Sequence, residues 1–237
     1  MGLLDILDQA DKNLLLCLNS FHSPVWDNFF WIITSIGIWI PFYLTVAFVF
    51  IKNHSIRGIW PLLFIGLLII LCDRISSGMI KPLFERLRPT HDPQVRDMLH
   101  ILNGYRGGLY GYVSSHAANS FGIAAFLSLI FRNHRFNVVI FSWAVLVGYS
   151  RIYLGVHYPG DVISGALLGV FLAWIVYRLF IRFLPRFIFI SHHNTRTLKK
   201  GLADSFSIHS VNLLSYSLLL SIVIIFISAK VLLKLMQ

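Results

Sequence analysis

Apolar positions in this chain come in long blocks and do not alternate with polar ones. Six such blocks, near residues 29 to 51, 58 to 80, 115 to 131, 137 to 154, 161 to 182 and 211 to 234, are separated by short polar connections. A hydrocarbon layer takes ~20 helical residues to cross, fewer where a helix is enclosed by others, so each block is long enough to span a bilayer. Lipid offers the backbone no hydrogen-bond partner, which makes each spanning block a helix. The expected fold is all-α: a polytopic membrane bundle of six transmembrane helices, forming a single domain over 1–237. Before the first block, Leu3, Leu4, Ile6, Leu7 and Leu14 to Leu16 are interspersed with Asp and Lys residues. That pattern suits a helix lying on the membrane surface, so residues 1–28 are read as an interfacial segment, with an ordinary polar terminus as the alternative.

Composition agrees with a bilayer as solvent, since 57% of residues are hydrophobic and 13% charged, a balance unsuited to a water-exposed domain of this size. Met1 to Lys12 places Asp5, Asp8 and Asp11 before its only lysine, so it lacks the basic start of a cleaved signal peptide, and the first span is expected to direct insertion. Cys17 and Cys72 suggest neither a disulfide framework nor a thiolate metal site. Six spans put the connections 52 to 57, 132 to 136 and 183 to 210 on one face, with Lys52, Arg57, Arg132, Arg135, Arg186, Arg196, Lys199 and Lys200. The positive-inside rule makes that face cytoplasmic. The other face carries Lys81, Arg86, Arg88, Arg96 and Arg106 in segment 81–114, so the orientation holds only if some of these cations serve function. The formal net charge of +10 fits an anionic surface, an anionic substrate or nucleic acid; without a basic stripe interleaved with exposed aromatics, nucleic acid is excluded.

Three short stretches carry candidate chemistry, all on the face opposite the cytoplasmic one. Lys81 closes the second block and Arg88 follows seven residues on, about two helical turns, so both cations are expected to point one way. Arg74, seven residues earlier, is expected on the same face with Asp73 as its neutralising partner. Taken alone, Lys81 and Arg88 fit interfacial snorkelling better than a binding role. The third block opens at Tyr112-Val113-Ser114-Ser115-His116, where Ser114 suits an N-cap and the free amides of Ser115 and His116 suit an anion. Ser150-Arg151 ends the fourth block, and the turn to the fifth contains His157, Pro159, Gly160 and Asp161. Pro159 and Gly160 interrupt the helix and let Asp161 fold back to accept a ring N–H of His157, fixing which nitrogen is free.

These three blocks resemble the type 2 phosphatidic acid phosphatase superfamily. Its K-x6-R-P pattern is matched by Lys81 through Arg88-Pro89, its P-S-G-H pattern by Val113-Ser114-Ser115-His116, and its S-R-x5-H-x3-D pattern by Ser150-Arg151 through His157 to Asp161. Val113 replaces the family Pro and Ser115 the family Gly, the second of which bears on close backbone approach to a phosphate. The resemblance implies a metal-independent, cofactor-free lipid phosphatase. It makes His157 the nucleophile, Asp161 its orienting carboxylate and His116 the acid that serves the leaving group and then activates water. Lys81, Arg88, Arg151, Ser114 and Ser115 would bind the phosphate. It also implies a bacterial-type cytoplasmic (inner) membrane, with the site on the periplasmic side.

The implied partner is a phosphorylated membrane lipid whose tail delivers the phosphate to the headgroup depth. Undecaprenyl diphosphate or lipid A is favoured, with phosphatidate and phosphatidylglycerol phosphate behind; no residue separates these, and oligomeric state is left open. A lipid phosphotransferase would use the same residues. From another class, a transporter or channel for phosphate-bearing molecules would show flux without hydrolysis. Segment 91 to 113, with Tyr105, Tyr110 and Tyr112 among glycines, is expected to be a mobile cover or a plain connector. His192 and His193 lack a third ligand nearby and are read as loop residues, not a metal site.

Overall fold

The computed structural model describes residues 2–188, 202–203 and 205–235. Helices α1 (Leu3–Asn19), α2 (Pro24–Ile33) and α3 (Ile40–His54) are followed by α4 (Ile59–Asp73), which runs through a π-helical stretch, Arg74–Ile80, into the short α5 (Lys81–Phe84). Beyond a looped segment come α6 (Ser115–Phe131), α7 (His134–Tyr153), α8 (Pro159–Ile188) and α9 (Ile208–Leu235). No strand occurs among the described residues, only one isolated antiparallel bridge between Leu87 and Tyr110. The helix starts follow local chemistry: the side chains of Ser114 and Asn133 cap α6 and α7, and prolines open α2 and α8, where a missing N–H costs nothing.

Among the described residues the chain is all-helical and membrane-spanning, but the helices do not divide into six separate runs. Four of the described helices are long and apolar enough to cross a membrane, Ile36–Phe84, His134–Tyr153, Pro159–Phe183 and Ile208–Leu235, with Ser115–Phe131 a shorter apolar helix. The first two expected blocks thus form one helical stretch of 49 residues, because a 3-10 turn at Ser55–Gly58 links α3 to α4 without an interruption. It is nevertheless bent: Ser55 has φ 55°, and Gly58 packs so closely on Phe50 and Ile51 that a methyl group there would meet Ile51 N at 2.8 Å. In a straight helix residues eight apart would be separated by about 12 Å.

Helix α6 is short because it is central. Most of its residues, among them Ala117, Ala118, Gly122, Ala124 and Phe126, are buried, so it needs no lipid-facing surface. Helix α8 crosses it through small residues four apart: a methyl group on Gly169 would overlap Ala118 O and approach Gly122 N to 2.9 Å, and one on Gly165 would overlap Ser114 O. Only glycine allows that approach, the small-xxx-small crossing of membrane helices. Outward leucines such as Leu44, Leu63, Leu167 and Leu220 are more than half exposed, the band that lipid covers.

Contacts at the two ends show which loops meet. At one end, Asn53 bonds Ser210 at 3.2 Å, and Phe206 packs on Phe50 and Phe131. At the other, Asn28 donates to Ala229 O at 3.3 Å and Asn19 to Tyr153 O at 2.7 Å, beside segment 81–114 and the α7–α8 turn. His192 and His193 lie outside the described residues.

Candidate functional site

The second end gathers all three motif blocks. Lys81 and Arg88 do not share a helical face, since α5 stops at Phe84 and Glu85 adopts the left-handed conformation (φ 46°). The chain turns there and returns Arg88 toward Lys81. The π-helical stretch before Lys81 also changes the helical register. The expected Asp73–Arg74 pair is not formed; Asp73 instead accepts from Asn119 Nδ2 at 2.9 Å. In exchange, Ser76 and Ser77 both reach the Ser115 hydroxyl, at 2.8 and 2.9 Å. Lys81 Nζ donates to that same hydroxyl at 2.9 Å and to Ser77 Oγ at 3.0 Å. The side chain that replaces the family glycine thus holds a cation in place.

The α6/α8 crossing sets the second and third blocks against each other. Ser114, fully buried, donates its N–H to Asp161 O at 3.0 Å and caps α6 with its hydroxyl. Val156 N bonds Arg151 O at 3.1 Å, which folds the α7–α8 turn so that His157 faces inward. Arg151, His157 and Asp161 are 2%, 1% and 0% exposed, so these polar groups depend on one another for partners. Asp161 Oδ2 lies 3.3 Å from His157 Nδ1, and the Gly111 backbone offers the ring a further acceptor. Burial, followed by the charges of Arg88, Arg151 and Lys81, pushes the His157 imidazolium well below its ordinary titration range, so the ring is neutral at physiological pH. His116 lies within electrostatic reach of Arg151, His157, Arg88 and Lys81.

Two of the arginines are only partly satisfied by protein. Arg88 Nε donates to Tyr110 O at 3.2 Å, and Arg151 donates to Thr34 Oγ1 and, at 3.5 Å, to Tyr105 Oη. Arg88 Nη1 and Arg151 Nε are buried donors with no protein acceptor. Buried guanidinium donors are costly without an acceptor, and a tetrahedral oxyanion between them would supply several. Beside Ser115 and His116 a cavity of about 150 Å³ opens toward Thr34, Tyr43, Asn119 and Trp143.

The PAP2 superfamily pattern matches residues 58–185, more than half of the chain. The chain belongs to the PAP2 superfamily. It is 40% identical over 177 residues to a lipid A 4'-phosphatase of Bacteroides thetaiotaomicron, covering 74% of this chain and 79% of that one. A lipid A 4'-phosphatase of Porphyromonas gingivalis is 37% identical over 176 residues, covering 73% and 74%. Among solved structures, Aquifex aeolicus LpxE aligns with TM-score 0.53 and 29% identity, over 70% of this chain and 93% of that one. This PAP2 protein is accordingly a multi-pass membrane lipid phosphatase of bacterial type.

Several residues make contacts to the PAP2 motifs that the sequence did not predict. Arg86 joins Asp161 to α1, as Nη1 donates to Asp161 Oδ1 at 2.9 Å and Nη2 to Asp11 Oδ2 at 2.9 Å and Asp8 Oδ1 at 3.2 Å. Burial opposes the Arg86 charge, but Asp161, Asp11 and Asp8 outweigh it and hold the guanidinium above its ordinary value. Thr34 and Tyr105 act on Arg151 as described. Segment 91–113 is tied down by Arg88 N to Leu109 O at 2.9 Å and Gly111 N to Arg86 O at 2.8 Å; of its tyrosines, Tyr105 reaches the site and Tyr112 packs on Phe84. One signal was visible beforehand: Arg86 in the loop and the Asp8–Asp11 pair in the terminus are complementary runs of charge.

Proposed function

We propose that this PAP2 phosphatase hydrolyses a lipid phosphate through a phosphohistidine, with the 4'-phosphate of lipid A as the favoured substrate. The observation that carries the chemistry is the buried, neutral His157 beside two guanidinium donors without protein acceptors, Arg88 Nη1 and Arg151 Nε. The proton of His157 sits on Nδ1, facing Asp161, so the lone pair on Nε2 attacks phosphorus. As the Nε2–P bond forms, the P–O bond to the lipid breaks and His116 gives its proton to the leaving oxygen. In the second step His116 takes a proton from water, whose oxygen attacks phosphorus and breaks the P–N bond, freeing inorganic phosphate. Lys81, Arg88 and Arg151, with the Ser114 cap and the Ser115 and His116 amides at the start of α6, stabilise the charge on the transferring oxygens. The substrate's own negative charge makes a protonated His116 tenable among three cations. No step needs a metal ion.

Because the acid must face the leaving group, the cavity beside His116 is assigned to the lipid alcohol. The choice of lipid A rests on the two relatives that share about three quarters of their length with this chain; undecaprenyl diphosphate would use the same residues. For topology, the bend at Ser55–Gly58 divides the 49-residue stretch into two crossings, giving six with α6 to α9. With α1 lying at the interface, the site then opens on the periplasmic side.

The test is phosphate release by purified protein in detergent with EDTA present, against lipid A, undecaprenyl diphosphate, phosphatidate and phosphatidylglycerol phosphate. Lipid A is expected to be turned over fastest, and H157A to be inactive while keeping its fold. Hydrolysis by H157A near the native rate would refute the nucleophile, and flux into vesicles without hydrolysis would favour a transporter.

A further inference from the structure

We infer that Arg86 is a positioning residue for the reaction and that the N-terminal helix α1 is part of the catalytic support. This rests on the reading of His157 as nucleophile. Asp161 divides its oxygens: Oδ2 accepts from Tyr158 N at 3.1 Å and faces His157, while Oδ1 accepts from Arg86 at 2.9 Å. A fully buried carboxylate with one oxygen unsatisfied would turn toward another donor or take up a proton, and either change releases the imidazole from its orientation. Arg86 prevents this without touching the group of cations around His116, so it acts on His157 only through Asp161.

Arg86 is itself fixed from the N-terminus. Its other nitrogen is held by Asp11 and Asp8 of α1, and its guanidinium lies 4.2 Å from the Tyr158 ring centroid. Asp11 reaches the same turn a second time, accepting from Gly160 N at 2.8 Å. A methyl group at Gly160 would stand 2.7 Å from Asp11 Oδ2, so this carboxylate would have to shift to make room for one. The two links end on neighbouring residues, Gly160 and Asp161, and clamp the start of α8. Lys12 completes the seat, with Asp8 at 2.5 Å on its own helix and Asp92 of the loop at 3.6 Å. The Arg86 pairs with Asp161 and Asp11 are shielded from solvent, since those carboxylate side chains are 0% and 14% exposed, whereas Asp8 is 45% exposed and contributes less.

Kinetics of R86Q, R86K and D11N, with competitive inhibition by orthovanadate, test the inference. R86Q is expected to lower kcat by about 10- to 100-fold, the worth of one hydrogen bond between charged groups. Its KM and vanadate inhibition are expected to stay within about threefold, because the phosphate cradle is intact. R86K keeps the charge without the fork and recovers part of the rate. D11N keeps an amide oxygen to accept from Gly160 N and has a smaller effect, and the R86Q/D11N double variant is no slower than R86Q, since the charge that D11N removes acts through Arg86. Native-like kcat in R86Q, or kcat and vanadate affinity falling together, would overturn the inference. Should R86Q fail to fold, D11N decides: lower kcat with vanadate affinity kept supports the clamp, and unchanged kcat removes it. If H157A is inactive while R86Q is native-like, only this inference fails; if H157A turns over, the proposed mechanism fails first.

Discussion

Gly169→Ala adds one methyl group at the place where α8 lies closest to α6. That methyl would overlap Ala118 O and approach Gly122 N to 2.9 Å, and both are backbone atoms of a buried helix that cannot rotate out of the way. Ordinary contact begins at 3.4 Å, so the two helices must part by about 1 Å, and overpacking of this kind costs about 1–3 kcal/mol. The same separation acts on the site, because Ser114 and His116 ride on α6 and Asp161 on α8, joined by the 3.0 Å bond from Ser114 N to Asp161 O. A displacement of about 1 Å in a reacting geometry lowers rates by roughly 100-fold. The assay pairs phosphate release with thermal unfolding in the same detergent, using Gly66→Ala as control, since nothing lies within 4 Å of a methyl group there. Loss of both rate and melting temperature in Gly169→Ala, with neither in Gly66→Ala, is the expected result. Native behaviour of Gly169→Ala would refute the idea that this crossing holds the acid and the nucleophile in register.

Because burial and neighbouring cations push the His157 imidazolium well below 6.5, kcat/KM should show no acid limb from this group near pH 6.5; a limb there that keeps its position across substrates whose phosphates titrate differently would contradict it. The same shift makes the unfolded chain bind the proton first as pH falls, so the His157 contribution to stability is full above pH 6.5 and declines below it toward the folded value; a chemical-denaturation series over pH 4 to 7 should show native and H157N proteins converging as pH falls. Ser115→Ala removes the hydroxyl on which Lys81, Ser76 and Ser77 meet. It should weaken orthovanadate inhibition by about 10-fold through loss of a charged hydrogen bond, and inhibition unchanged within error would show that Lys81 needs no anchor. Dialysis against EDTA should leave the rate of phosphate release unaltered, and recovery of a lost rate on adding a divalent ion would count against a reaction carried by side chains alone.

The helical blocks were legible because lipid imposes a composition on whole stretches, and six motif residues, Lys81, Arg88, His116, Arg151, His157 and Asp161, stood out because cations, imidazoles and a carboxylate are expensive inside such stretches. The connection read at 52 to 57 coincides with the bend at Ser55 and Gly58, but hydropathy does not report that a 3-10 turn keeps the chain helical there, so the first two blocks run on as one stretch. An α-helical period does not survive a π-helical insertion, so a count of about 3.6 residues per turn from 74 to 81 misplaces Arg74 against Lys81. The shared face of Lys81 and Arg88 failed because the helix ends at Phe84 and the chain turns at Glu85, and Asp73 takes Asn119 in place of Arg74 as its partner.

The least legible contribution is that of α1, and its pattern explains why. An amphipathic helix is ordinarily read with its apolar face inward, yet Leu3, Leu4, Ile6 and Leu7 are more than half exposed while Lys12 is buried and the Asp11 side chain is 14% exposed. At an interface the outward leucines meet lipid and the polar face meets the protein. The acidic residues that looked like a solvated terminus therefore balance a basic site. Without Asp8, Asp11 and Asp92, the cations Lys12, Lys81, Arg86, Arg88 and Arg151 would face only Asp161 and Asp73, and their mutual repulsion would oppose closure of the site before any phosphate arrived. The N-terminal acids neutralise the outer cations, Arg86 and Lys12, through direct contacts and leave Lys81, Arg88 and Arg151 for the anion. On this account a chain lacking α1 should lose its nucleophile's support and its charge balance together, which makes the helix a working part of the phosphatase site.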